Sequence, residues 1–203
     1  MGLFKMDWKK IIVNIQNDEA IFSELDICFF DLETTGLDEK ECEIVEIGAK
    51  RFSAGKPNGE LSLLVKTESP VPIEATAIHG IDDKMLEGMP TQKEAISEFL
   101  RFSSGCVLIA HNAEFDYKFL KHHSAKFGTR IELPIICTLR MTKRFLPYLE
   151  RRNLGALAEY FKIRNEARHR AFGDLLVTAE VFYRLIEGKR EYTTWGDFRP
   201  FKV

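Results

Sequence analysis

Asp31 and Glu33 stand two residues apart at the end of an apolar run, in Cys28-Phe29-Phe30-Asp31-Leu32-Glu33-Thr34-Thr35-Gly36-Leu37. Alternate side chains of a strand share a face, so both carboxylates project together at its carboxyl end, where open α/β sheets bind ligands. Two anions this close repel, and one takes up a proton unless a hard divalent cation with a preference for oxygen holds both ionised. The pair reads as half of a metal site. A third carboxylate, Asp116, follows the apolar run Cys106-Val107-Leu108-Ile109, in a helical pattern whose apolar positions are Phe115, Phe119 and Leu120. Near the end, His169 and Asp174 open the last long helical segment five residues apart. Five helical positions turn side chains by about 140°, which puts His169 on the preceding loop, over a site that Asp174 helps to build.

In this order the three segments resemble the exonuclease motifs of the DEDDh 3′→5′ exonucleases. Within them the chain is most similar to the DnaQ-like proofreading group, which includes the epsilon-type subunits of bacterial replicative polymerases. The resemblance runs from Ile27 to Glu187 and includes Thr76-Ala77-Ile78-His79-Gly80-Ile81. It implies that Asp31, Glu33, Asp116 and Asp174 are metal ligands and that His169 is the general base. Hydrolysing a phosphodiester in line needs an activated water, neutralised phosphoryl oxygens and a stabilised 3′-oxyanion, which two divalent ions about 3.5–4 Å apart supply together. A carboxylate donor set suits Mg²⁺, Mn²⁺ fits the same oxygens, and no Cys or His cluster points to zinc. By the resemblance Asp31 bridges both ions, Glu33 and Asp174 complete the nucleophile side, and Asp116 serves the leaving-group side largely through water. An imidazole titrates close to neutral pH, which suits the proton-accepting role that the resemblance gives His169.

Substrate contacts follow from the surrounding residues. The turn Thr34-Thr35-Gly36 offers backbone N–H groups to a 3′-terminal nucleotide, with Gly36 permitting close approach. Leu37 and Phe115 are candidates to sandwich terminal bases, although Phe115 also has the spacing to pack on Phe119. His79 reads as a loop residue between Pro70, Pro72 and a helix, and the resemblance makes it a substrate contact. Asn112 either meets substrate or caps the helix that carries Asp116.

Composition agrees with this reading. A chain of 203 residues, 45% hydrophobic and 30% charged, suits one soluble domain with a full core. Its net charge of −2 does not announce nucleic acid, yet Arg140, Lys143, Arg144, Arg151 and Arg152 stand against Glu150, with Lys162, Arg164, Arg168 and Arg170 shortly after. This stretch is the expected phosphate-tracking surface. Cys28, Cys42, Cys106 and Cys137 form no metal or redox spacing and read as free thiols in a reducing compartment. No apolar stretch approaches the 18 or so residues of a membrane span, and Asp7, Asp18 and Glu19 stand where a leader would be, so a cytoplasmic protein is expected.

The elements that must position these residues are strands near 27–32, 44–52 and 61–66, the last two joined by a turn containing Gly55, Pro57, Asn58 and Gly59. Helices are expected near 91–102, 113–127, 138–146, 153–161 and 170–187, and strands near 106–110 and 134–137. The expected fold class is α/β: a mixed five-stranded sheet flanked by helices, as in the ribonuclease H-like fold of the resembled family. Residues 25–188 form that domain. Residues 1–24, with Trp8, Ile11, Ile12 and Ile15 at helical spacing, read as a helical extension. Residues 189–203, with Tyr192, Trp195, Phe198 and Phe201, read as an aromatic tail that packs back on the domain or docks to a polymerase, a clamp or a second copy.

Three functions fit. The Glu-Thr-Thr-Gly and Ile-His-Gly-Ile segments resemble DNA 3′→5′ exonucleases that release 5′-mononucleotides from a single-stranded 3′ end in proofreading or repair. An RNA-directed exonuclease of the same fold shares the motif residues, because a 2′-hydroxyl is read by pocket details. A nuclease-fold binding or scaffold module is the third, and the presence of all five motif residues argues against it.

Overall fold

The computed structural model describes residues 10–12, 20, 22–164, 169–189 and 194–203. Its centre is a five-stranded sheet of β2 (Asp26–Thr34), β3 (Ile44–Ser53), β4 (Lys56–Leu64), β5 (Val107–Ala110) and β7 (Ile135–Cys137), in the order β4-β3-β2-β5-β7. The β2–β3 and β3–β4 pairs are antiparallel, whereas β2, β5 and β7 run parallel. The carboxyl ends of the three parallel strands therefore share one edge, the edge at which such sheets bind ligands. The mixed sheet and its flanking helices agree with the expected fold class.

Alternation along β2 divides the core into two layers. Cys28, Phe30 and Leu32 pack with Phe99 of α3 (Gln92–Phe102) and with Phe119 and Leu120 of α4 (Glu114–Lys126). Ile27 and Phe29 pack on the opposite face with Leu175 and Phe182 of α7 (Ala171–Ile186) and Leu157 of α6 (Leu154–Phe161). A helix on each face explains why β2 reads as a continuous apolar run. Met141 of α5 (Thr138–Phe145) joins the second layer.

Several local details differ from the sequence reading. The β3–β4 hairpin turns at Ala54 and Gly55, both with positive φ (47° and 74°), which matches a two-residue turn. Pro57, Asn58 and Gly59 lie instead in β4, an edge strand that tolerates a proline. Two short helices, α1 (Ile73–His79) and α2 (Asp83–Leu86), follow the Pro-rich entry; α1 ends at Gly80 in the left-handed region, and the Asp82 side chain caps α2. His79 is thus the buried last residue of a helix and not a loop residue. Strand β6 (Arg130–Glu132) was not expected, and it pairs in parallel with β1 (Lys10–Ile12). At residues 10–12 the expected helix is an extended segment, consistent with the strand preference of the β-branched pair Ile11-Ile12. Trp8 and Ile15 fall outside the described residues.

The tail belongs to the core. Trp195, Phe198 and Phe201, on a 3-10 helix spanning Trp195–Phe201, are all buried in the α7 layer. Phe198 stacks on Phe22 with ring centroids 4.1 Å apart, and Phe201 meets Phe145 edge-on at 5.3 Å. The Val203 N–H donates to the Ile135 carbonyl at 2.9 Å. These three aromatics are consequently not a docking surface, and the boundary placed at residue 189 divides one core; Tyr192 lies outside the described residues. Cys28, Cys106 and Cys137 are buried and Cys42 half-buried, all four as free thiols. Among the described residues no helix is long and apolar enough to cross a membrane.

Removing a fully buried aromatic of this kind costs about 3–5 kcal/mol. Phe198→Ala is therefore expected to lower unfolding stability by that amount in urea titrations at unchanged m; a loss below about 1 kcal/mol would show that the tail is peripheral.

Candidate active site

Asp31 and Glu33 continue the row of Ile27 and Phe29 toward α7, so the second hydrophobic layer gives way to carboxylates at the carboxyl end of β2. The first turn of α7 brings Asp174 to them. One carboxylate oxygen from each of Asp31, Glu33 and Asp174 lies within 4.8 Å of the others. Asp116, in the first turn of α4, is buried beside this group of three and not within it. The backbone N–H groups of Asp116 itself and of Leu32 favour its charged form.

Two residues of β3 explain how α7 comes so close. Gly48 pairs with Asp31 in register, and a Cβ on it would stand 2.6 Å from the Ala171 carbonyl carbon and 2.7 Å from the Phe172 nitrogen. Only glycine leaves room for the start of the helix. Glu46 pairs with Glu33 and is 1% exposed. It accepts from Arg170 Nη2 at 2.6 Å, from Arg170 Nε at 3.1 and 3.2 Å, and from the Ala171 N–H at 2.9 Å. This fork fixes the residue before α7. His169 precedes it with φ +59°, a strained position for a side-chain-bearing residue, and its N–H donates to Asp174 Oδ2 at 3.2 Å. Glu46 and Gly48 were missed from sequence, although a charge and a glycine inside the apolar run Ile44-Val45-Glu46-Ile47-Gly48 were a readable signal.

The electrostatics are those of crowded, dehydrated anions. Burial first, then Asp116, Glu33, Asp174 and Glu46, push Asp31 well above the ordinary carboxylate range. Burial, with Asp174, Glu46 and Asp116, raises Glu33 to about 8, against an opposing pull from Arg170. Burial raises Asp116 to about 7 against its backbone hydrogen bonds. Arg170 is already engaged by Glu46, so it offsets the cluster's charge only in part. Convergent carboxylate oxygens fit a hard divalent cation, which Asp31, Glu33 and Asp174 could hold, with Asp116 beside them.

The other expected site residues are arranged unequally. Leu37 is 85% exposed at the motif turn, and Ile78, which the sequence reading did not single out, is 60% exposed beside His79. The His79 Nδ1 accepts the Ile81 N–H at 3.0 Å, its buried Nε2 has no hydrogen-bond partner among the described residues, and burial lowers its pKa. Thr34 donates its hydroxyl to the Gly36 carbonyl at 2.6 Å, closing the turn. A Cβ on Gly36 would stand 2.6 Å from Cys42 Sγ, so a side chain there would have to displace the Cys42 thiol. Asn112 does not cap α4 with its side chain; it takes φ +56° and its carbonyl accepts the Phe115 N–H. Phe115 packs on Phe119 at 4.9 Å and is partly buried against the first core layer.

In the metal-free protein the raised carboxyls carry protons that the unfolded chain, at its ordinary values of 3.8 and 4.5, has released. The folded state then binds more protons than the unfolded state, so stability falls as pH rises from about 4 to about 8. Thermal unfolding in EDTA should show Tm dropping across that window, and Mg²⁺ or Mn²⁺ should raise Tm more at pH 8 than at pH 5, because the ions displace protons. A Tm independent of pH, or an equal metal shift at both values, would contradict this electrostatic picture.

Known proteins share both the sequence and the architecture. The RNase_T family model, described as Exonuclease, matches residues 28–182. A DNA polymerase III PolC-type protein of Caldanaerobacter subterraneus subsp. tengcongensis is 36% identical over 162 residues, 80% of this chain and 12% of that protein. The chain thus spans about an eighth of the PolC-type relatives' length. The DNA polymerase III subunit epsilon of Aquifex aeolicus is 32% identical over 158 residues, 77% of this chain and 78% of the subunit. The structure of Exonuclease X in complex with 5′ overhanging duplex DNA superposes with a TM-score of 0.69 at 25% identity, over 86% of this chain and 99% of that one. A full-domain match of this kind, on a sheet whose edge gathers four acidic residues, means that the chain belongs to the exonuclease family.

Proposed function

We propose that this chain is a divalent-metal-dependent 3′→5′ exonuclease that removes 5′-mononucleotides from single-stranded DNA, in replication proofreading or repair. The observation that carries this reading is the convergence of Asp31, Glu33 and Asp174 within 4.8 Å, with Asp116 beside them. Bound Mg²⁺ or Mn²⁺ would activate a water, neutralise the phosphoryl oxygens and stabilise the leaving 3′-oxygen.

The chain's own residues do the rest. Asp31, Glu33 and Asp174 offer one face of carboxylate oxygens, and Asp116 adds another from the α4 side. His169 takes the proton of the attacking water on its imidazole, on a backbone that Arg170 and Asp174 hold from both ends. The Thr34–Gly36 turn and His79 border the terminal nucleotide, while Leu37 and Ile78 give exposed apolar surface for its base. Phe115 and Asn112, from the α4 entry, complete the rim. The PolC-type and epsilon relatives favour a polymerase partner and a cytoplasmic setting.

The test is a time course on 5′-labelled single-stranded DNA and on RNA of the same sequence, with Mg²⁺ or Mn²⁺. A ladder shrinking from the 3′ end, faster on DNA, is expected. Asp31→Ala should abolish it, and His169→Ala should slow it by about 10²–10⁴-fold. Faster shortening of RNA would make the chain an exoribonuclease, and no shortening of either strand would reject the enzyme reading.

A further inference from the structure

The exposed surface between α5 and the end of α6 is absorbed by neither the fold nor the metal cluster. Residues 138–164 contain seven lysines and arginines against two glutamates, in a chain whose net charge is −2. Three cations of the expected basic surface are engaged. Arg140 pairs with Glu114, Arg152 donates to the Pro147 carbonyl at 2.6 Å, and Arg170 is held by Glu46. Lys143, Arg144, Arg151 and Lys162 are exposed and form no ion pair among the described residues. Arg168 lies outside those residues.

Two tyrosines stand in the same stretch. Tyr148 is 66% exposed and Tyr160 44% exposed, and their hydroxyls hydrogen-bond to each other at 2.8 Å. The bond ties the α5–α6 loop to α6 and holds two large rings at the surface. Exposed aromatics among uncompensated cations are the composition that binds unpaired nucleic acid, in which phosphates meet cations and base faces meet rings.

Hydrogen bonds join this surface to the segment that leads into α4. His111, just before the α4 segment that carries Asp116, bonds through Nε2 to the Arg152 carbonyl at 3.0 Å and through Nδ1 to Thr138 Oγ1 at 2.9 Å. His111 thereby ties the loop that carries Arg151 and Arg152 to the segment leading into α4 and its Asp116. Along the chain, Lys162 directly follows α6 and stands seven residues before His169.

We propose that Tyr148 and Tyr160, with Lys143, Arg144, Arg151 and Lys162, form a secondary binding surface for the unpaired strand upstream of the terminal nucleotide. This rests on the exonuclease reading above. It predicts that the chain prefers long strands to short ones, and that the preference resides in this surface.

The experiment compares two substrates with one protein: the p-nitrophenyl ester of thymidine 5′-monophosphate, which reaches only the site, and (dT)₂₀. Failure of wild-type protein to hydrolyse either would reject the exonuclease reading itself. With both hydrolysed, the ratio of kcat/KM for (dT)₂₀ to that for the ester should fall about tenfold or more in Tyr148→Ala/Tyr160→Ala, through KM for (dT)₂₀. Tyr148→Phe/Tyr160→Phe keeps the rings and should hold the ratio, which separates stacking from loss of the hydroxyl bond. Arg151→Ala/Lys162→Ala should also flatten the dependence of log KM for (dT)₂₀ on log salt by about 0.7 for each cation removed. An unchanged ratio and salt slope in all variants, or an equal loss on both substrates, would overturn the proposal.

Discussion

The close approach of α7 to β3 is the contact on which the site depends. A helix carrying Asp174 reaches the carboxyl end of β2 only because Gly48 has no side chain, and it stays there because buried Glu46 accepts three donors from Arg170 and Ala171. Stripping one partner from a buried pair leaves an uncompensated charge, at a cost of roughly 3 kcal/mol for a fully enclosed pair and less here, where Arg170 is partly exposed. The same fork sets the backbone of His169, so the carboxylate cluster and the imidazole are placed by one device.

That device works against electrostatic repulsion. Raising Glu33 from 4.5 to about 8 corresponds to roughly 3–5 kcal/mol of opposition to its charged form. The fold tolerates this because the two hydrophobic layers, the second of them carrying the stacked Phe22, Phe198 and Phe182, supply stability elsewhere. A site that resists ionisation alone and ionises around cations couples metal affinity to pH and to folding.

Much of this was legible in the sequence, and the exceptions have physical causes. Asp31 and Glu33 could be read as a pair from strand alternation, whereas Asp116, His169 and Asp174 were picked out by the resemblance of their segments to the exonuclease motifs. The apolar run of β2 and the helical periods of α3, α4 and α7 likewise gave elements within a few residues of those observed. Glu46 and Gly48 stand out as a charge and a glycine in an apolar run, but their roles come from a partner more than 120 residues away in the chain, which no local pattern names. Trp195, Phe198 and Phe201 read as a tail because a short 3-10 helix has no long period to betray its buried face. His79 and Asn112 depended on helix ends, where backbone hydrogen bonds decide the outcome and residue type alone does not.

Calorimetric titration of Mn²⁺ into the protein at pH 8, with thymidine 5′-monophosphate present, tests the central claim most directly. The account predicts two ions per chain, proton release on binding, and loss of binding in Asp31→Asn. Absence of binding, or binding that Asp31→Asn leaves unaltered, would mean that the carboxylates at the end of β2 are not a metal centre.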